Sequence, residues 1–196
     1  MHLPYLFINH SETPSLEKTT LKLSKGTVLG IGYGAGSHSL YLKSKGLEVK
    51  SIDTSVGAIE VCLLRGLNQV HVLYLMDETA SFDTLLLLTN GYGVFQSLAH
   101  KPFVLSHLKT LINPNGQILI DSSDINYMYE HEDGGYWIDA TKDYYGELDY
   151  TARYKNLEAT FSWMYIDFEN LKIACEQAGL RCELIEEGPH FNFLAK

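Results

Sequence analysis

Four glycines at alternate positions, Gly30, Gly32, Gly34 and Gly36, follow the apolar pair Val28-Leu29. Such a loop lets backbone come close to a ligand, and the helix start after it offers unpaired N–H groups. Ser37 stands at an N-cap position for that helix, which continues through Leu40 and Leu42. Seventeen residues beyond Gly36 a second apolar stretch ends in Asp53, an acid placed to accept both hydroxyls of a ribose. Strand, glycine loop, helix, strand and acid in this order point to an adenosine-containing cofactor. Asp53 has a second reading as the N-cap of the next helix, because Thr54 and Ser55 follow it. Gly30-x-Gly32-x-x-Ala35 also satisfies the dinucleotide fingerprint, which keeps a nicotinamide cofactor open at this stage.

Other chemistry-bearing residues are less patterned. Eight histidines include His100 and His107, too far apart for chelation from adjacent helical turns, and His131 inside an acidic stretch. No His/Cys/carboxylate set has zinc spacing, so no metal is expected. Cys62, Cys175 and Cys182 sit in apolar patterns and read as buried reduced thiols, which suits a cytoplasmic location. The formal net charge of −9, without a Lys/Arg cluster, argues against nucleic acid as a partner. No leader pattern and no apolar run of membrane-spanning length is expected from the sequence.

The elements that must position these residues alternate. Helices are expected over 12–23, 37–45, 55–65, 102–112 and 167–178. Strands are expected over 27–31, 47–52, 70–75, 82–89 and 117–121. The unbroken run Leu85–Leu88 suits a central strand covered on both faces. Asn113-Pro114-Asn115-Gly116 is a strong turn. Residues 180–186 and 190–194, linked by Glu187-Gly188-Pro189, form a closing antiparallel pair. Between the strand at 117–121 and the helix at 167–178, the segment of about 123–166 is rich in tyrosine and holds both tryptophans. Its stretches 144–154 and 157–165 read as an inserted β-hairpin turning at Lys155-Asn156. These aromatics suit a sheet face, a wall over the active site or a dimer contact. The whole chain of 196 residues reads as one α/β domain.

The glycine loop, Ser-Ile-Asp-Thr at 51–54, Phe-Asp-Thr at 82–84, Asn-Pro-Asn-Gly-Gln-Ile-Leu-Ile at 113–120 and the closing pair resemble class I S-adenosylmethionine-dependent methyltransferases. The resemblance covers nearly the whole chain. It implies a Rossmann-like, mostly parallel seven-stranded sheet with helices on both faces and an antiparallel last strand. It also implies methyl transfer from S-adenosylmethionine to a small molecule. Gly30 and Ile31 then end the first strand, and Gly32, Tyr33 and Gly34 pass under the methionine part of the cofactor. Asp53 takes the ribose and Thr54 lies beside the adenine. Thr89, Asn90 and Gly91 mark where cofactor and substrate meet, although Asn90 also reads as a turn residue. His38, next to Ser37, would contact the methionine carboxylate or be a surface residue.

Two departures from the family pattern stand out. Gly30 occupies the place of an acid that helps to hold the cofactor's ammonium group. After the third strand, where the family often has an acid for the adenine amine, the chain reads Leu73-Tyr74-Leu75-Met76-Asp77. Met76 falls at the cofactor there, with Tyr74 replacing the acid or Asp77 supplying it. Substrate-facing candidates are Asn90, His100, Asp121, Tyr127 and Tyr144. A degenerate methyltransferase-like binding subunit that partners another chain is the alternative the two departures keep open; for the chain itself, a homodimer or a partner chain also stays open.

Overall fold

The computed structural model describes residues 7–139 and 141–196, with the side chain of His100 outside that set. Five helices and nine strands follow in the order α1 (Ser15–Leu23), β1 (Thr27–Ile31), α2 (Ser37–Ser44), β2 (Glu48–Asp53), α3 (Val56–Leu64), β3 (Val70–Val72), β4 (Phe82–Leu87), α4 (Lys101–Thr110), β5 (Ile112–Ser123), β6 (Glu147–Tyr154), β7 (Leu157–Met164), α5 (Phe168–Gln177), β8 (Leu184–Glu187) and β9 (Asn192–Ala195). Seven strands make one sheet in the order β3-β2-β1-β4-β5-β9-β8, and β6 pairs with β7 in a separate hairpin. Strands β1 to β5 pair in parallel. β9 runs antiparallel to β5 and to β8, and so lies inside the sheet, with β8 at its edge.

β4 shows why the sheet is covered on both sides. Leu85, Leu86 and Leu87 are all fully buried. Leu85 and Leu87 face one core with Val104, Leu105 and Leu108 of α4 and Leu171 of α5. Leu86 faces the other, with Leu16 and Leu21 of α1 and Leu42 of α2. Side chains alternate across a strand, so a run of leucines serves both layers.

Several boundaries differ from the sequence expectation, each for a local reason. Gly36, with φ 76°, is the N-cap of α2, and Ser37 is its first helical residue. β3 stops at Val72, and Leu75–Asp77 form a 3-10 turn. The turn at Asn113–Gly116 sits within β5, where the pairing jumps from Phe82↔Ile112 to Thr84↔Gln117. β5 runs on to Ser123 because β9 pairs with Asp121, Ser122 and Ser123. β8 starts only at Leu184, and β9 at Asn192, after a 3-10 turn over Pro189–Phe191.

Candidate active site

The strand order reverses between β1 and β4, and ligands of open α/β sheets sit beyond the carboxyl ends of strands at such a point. Two recesses meet there. The larger, about 630 Å³, is lined by Ile52, Asp53 and Thr54 at the end of β2, by Leu73 to Met76, and by Trp163 of β7. The smaller, about 180 Å³, is lined by Glu17, Ser37, His38, Thr89 and Gly91. Ile31, Gly32, Gly34, Val94 and Trp163 belong to both walls.

The glycine loop is fixed from three sides. Gly32, Gly34 and Gly36 have φ of 69°, 50° and 76°, where an L side chain is strained. Asp53 accepts from the Gly34 N–H through Oδ2 at 3.0 Å and from the Ser55 N–H through Oδ1 at 2.8 Å. The Arg65 guanidinium donates to the Ala35 carbonyl at 2.5 Å and to Ser37 Oγ at 3.1 Å. The Cys62 thiol donates to the Gly34 carbonyl at 3.3 Å. Ser55, whose Oγ accepts from the Ala58 N–H at 3.2 Å, is the cap of α3. The capping role that Asp53 could have had is therefore filled, and its carboxylate faces the loop and the larger recess.

Gly30 has a different cause. A Cβ built there would lie 1.9 Å from Cε2 of Tyr33. The Tyr33 ring is buried beside Val28, Leu42 and Leu86. Burial drives its hydroxyl pKa far above the ordinary tyrosine value. Residue 30 thus has no room for a side chain, acidic or otherwise.

The other edge of the site is built from β4, β5 and the hairpin. Thr89 and Asn90 both have left-handed backbones, with φ of 64° and 58°. Asp121 stabilises that turn by accepting from the Thr89 N–H at 3.1 Å and the Gly91 N–H at 2.8 Å. Desolvation nevertheless raises the Asp121 carboxyl to about 6, and the negative Glu17 adds to the rise. The Asn90 side chain is engaged structurally. Its amide donates to the Met164 carbonyl at 3.2 Å, and its oxygen accepts from Ser122 Oγ at 3.0 Å. Trp163 lies over Gly93, where a Cβ would come within 1.9 Å of its indole ring.

Sequence candidates divide by place. Asp53, Thr54 and Met76 line the larger recess, His38, Tyr33, Thr89 and Gly91 the smaller, and Ile31, Gly32 and Gly34 both. Tyr74, and not Asp77, is the residue after β3 in the wall of the larger recess. Tyr127 stacks on Phe191 and lines a separate trough of about 250 Å³ with Ser123, Tyr150, Tyr165 and His190. Tyr144 is spent elsewhere: its hydroxyl donates to the Asp167 carboxylate at the start of α5 and accepts from the Asp167 N–H at 3.1 Å. The His100 side chain lies outside the described residues.

Trp163 belongs to the aromatic stretch read as a sheet face, a wall over the active site or a dimer contact, and it lines both recesses; Glu17, by contrast, escapes a sequence reading. The available signal for Glu17 is a carboxylate on the same buried stripe as Leu16, Thr20 and Leu21.

A solved S-adenosylmethionine-dependent methyltransferase from Bacteroides fragilis, in complex with S-adenosyl-L-homocysteine, matches this architecture along the whole chain. It is 40% identical with a TM-score of 0.93, and the match covers 100% of this chain and 80% of that one. The chain belongs to the S-adenosylmethionine-dependent methyltransferases. Its fold is the class I fold, and its cofactor is S-adenosylmethionine. More distant structures share the frame. The sugar N-methyltransferase KedS8 from Streptoalloteichus sp ATCC 53650 is 11% identical over 100% of this chain and 92% of its own, with a TM-score of 0.66. DesVI from Streptomyces venezuelae is 13% identical over 92% and 90%, with a TM-score of 0.62. At those identities the likeness is one of fold. No family model and no curated relative matches the chain.

The nicotinamide alternative gives way with this assignment. Gly30 completes a dinucleotide fingerprint in the sequence, but the methyltransferase needs a glycine there because the Tyr33 ring occupies the space. The residues present fit S-adenosylmethionine. An acid at the end of β2 faces apolar walls that suit an adenosine, and the smaller recess sets a buried carboxylate beside the start of α2, which suits an amino-acid group.

Proposed function

We propose that this chain is an active methyltransferase acting on a small molecule held beside the Asp121 turn. The observation that carries the reading is the pair of recesses that meet at Gly32, at the switch point of the sheet. When bound, the cofactor supplies an electrophilic methyl on a sulfonium. Asp53 and Thr54 would hold the ribose and adenine end. The loop amides, Ser37 and His38 would face the amino-acid end. Trp163, which walls both recesses, would keep water from the middle.

The acceptor pocket we assign is the trough of Tyr127, Tyr150, Tyr165 and His190. It lies at the carboxyl end of β5, and burial raises the pKa of the Tyr165 hydroxyl, with smaller contributions from Tyr150, Tyr127 and, least, the Asp121 carboxylate. Rings with hydroxyl tips suit a small acceptor with one apolar and one polar side. The chain's part is alignment and water exclusion, which can account for much of the rate of an in-line displacement. No dedicated base is required when the acceptor is already neutral and nucleophilic.

The test has two stages. S-adenosylhomocysteine should raise the melting temperature by linkage. Radiolabelled methyl should then pass from S-adenosylmethionine to a fraction of small metabolites and not to macromolecules. A chain that binds the cofactor but labels nothing would support the degenerate-subunit alternative. Asn90 and Tyr144, whose side chains tie β7 and α5 to the frame, should affect folding more than acceptor choice.

A further inference from the structure

We propose that Glu17 of α1 supplies the carboxylate for the cofactor's ammonium group, the charge that residue 30 cannot carry, and that His38 positions it. The inference rests on the methyl-donor reading above and assigns a residue that lies outside the glycine loop and the strand ends.

Glu17 is only 5% exposed, a rare state for a glutamate, and it lines the smaller recess together with the glycine loop. A carboxylate so placed is costly unless charged or polar groups face it. His38 is one such group: its Nε2 lies 2.8 Å from Glu17 Oε2, the separation of an imidazole N–H donating to a carboxylate. The recess that Glu17 lines is the one that Ser37, His38 and the loop enclose, where the amino-acid end of the ligand belongs. That end carries an ammonium group, and the donor form adds a sulfonium. Both cations match a negative wall.

The position of Glu17 is set by the fold. Leu16 and Leu21 flank it in the second core, and Thr20 Oγ1 bonds back to the Leu16 carbonyl at 2.8 Å. Thr19 Oγ1 donates to Glu186 of β8, which pins the helix to the sheet edge. Tyr33 links the two halves of the argument. Its ring closes residue 30 to any side chain, and it also lines the recess that Glu17 faces. An acid in this enzyme therefore comes from the helix before β1 and not from β1 itself.

The test compares ligands with and without the amino group, by calorimetry on the full chain. The wild type should bind S-adenosylhomocysteine about 10- to 100-fold more tightly than its deamino analogue, the usual worth of one charge-assisted hydrogen bond. Glu17→Gln should lose a similar factor for S-adenosylhomocysteine, bind the deamino analogue like the wild type, and leave 5′-methylthioadenosine unaffected within about twofold. Equal weakening of all three ligands would assign Glu17 to packing and overturn the inference. So would unchanged affinity for S-adenosylhomocysteine. If Glu17→Gln does not fold, the wild-type comparison still decides, because equal affinity with and without the amino group leaves no ammonium for Glu17 to hold. A folded wild type that binds none of the three would instead overturn the methyl-donor reading.

Discussion

Trp163 rests on Gly93: the indole occupies the space that any side chain at residue 93 would need. Through this contact the hairpin, which pairs only with itself, reaches the mouth of the sheet and walls both recesses. Ligand binding should therefore change tryptophan emission. Titration with S-adenosylhomocysteine should shift the fluorescence of the wild type and of Trp137→Phe, whose exposed tryptophan lies elsewhere. Trp163→Phe should show little change. A response that survives in Trp163→Phe and disappears in Trp137→Phe would remove Trp163 from the site.

Gly30→Ala should destabilise the fold by about 1–3 kcal/mol, since it forces the Tyr33 ring out of a packed core. Tyr33→Ala alone leaves a cavity and should cost a similar or larger amount. In the double variant the alanine at residue 30 meets no ring, so its cost should nearly vanish. Denaturant melts of the four proteins check this as a double-mutant cycle. Additive losses would mean that the two positions do not share the space.

Asp53 and Ser55 should separate cleanly. Asp53→Ala should weaken S-adenosylhomocysteine about 10- to 100-fold, because it removes a ribose acceptor and releases the Gly34 N–H. Ser55→Ala removes the cap of α3 and should cost about 1 kcal/mol of stability with little change in affinity. Paired calorimetry and melting of both variants distinguishes them, and the reverse pattern would return Asp53 to a structural role.

Asp121 gives a pH signature. Its carboxyl is raised to about 6 in the fold from 3.8. The folded state holds its proton more tightly than the unfolded state, so this group favours folding below the unfolded value and loses that contribution as pH rises through about 6. The wild type should gain stability relative to Asp121→Asn as pH falls from about 7 to about 4. A difference that is flat with pH, or of opposite slope, would contradict the raised carboxyl.

Much of this was legible in the residues, and the gaps have physical causes. The leucine run of β4 marked a central strand and the glycine spacing a tight loop after β1, because strand period and left-handed turns are local properties. The place of Asp53 at the end of β2 was legible because its distance from the loop is set by one strand–helix–strand unit. Glu17 was not, because its neighbour His38 is brought to it only when α1 packs on the sheet. Gly30 was visible as an anomaly but not explained, since the clash with Tyr33 depends on a rotamer directed into the core. Tyr144 and Asn90 carried the composition of a binding site, yet their hydrogen bonds go to Asp167, Met164 and Ser122. Polar groups near a cleft are as available to the frame as to a ligand.

The two recesses share a rim at Gly32 and Trp163, so on the proposed reading they would act as two weak subsites joined by a short span. A ligand that reaches across both gains from tethering: once one end is seated, the other is held at a high effective concentration over its own subsite. Adenosine and homocysteine offered separately lack that advantage. The rim is thus where joined and cleaved forms of the same molecule would be told apart, and separated halves in solution would compete poorly for the site.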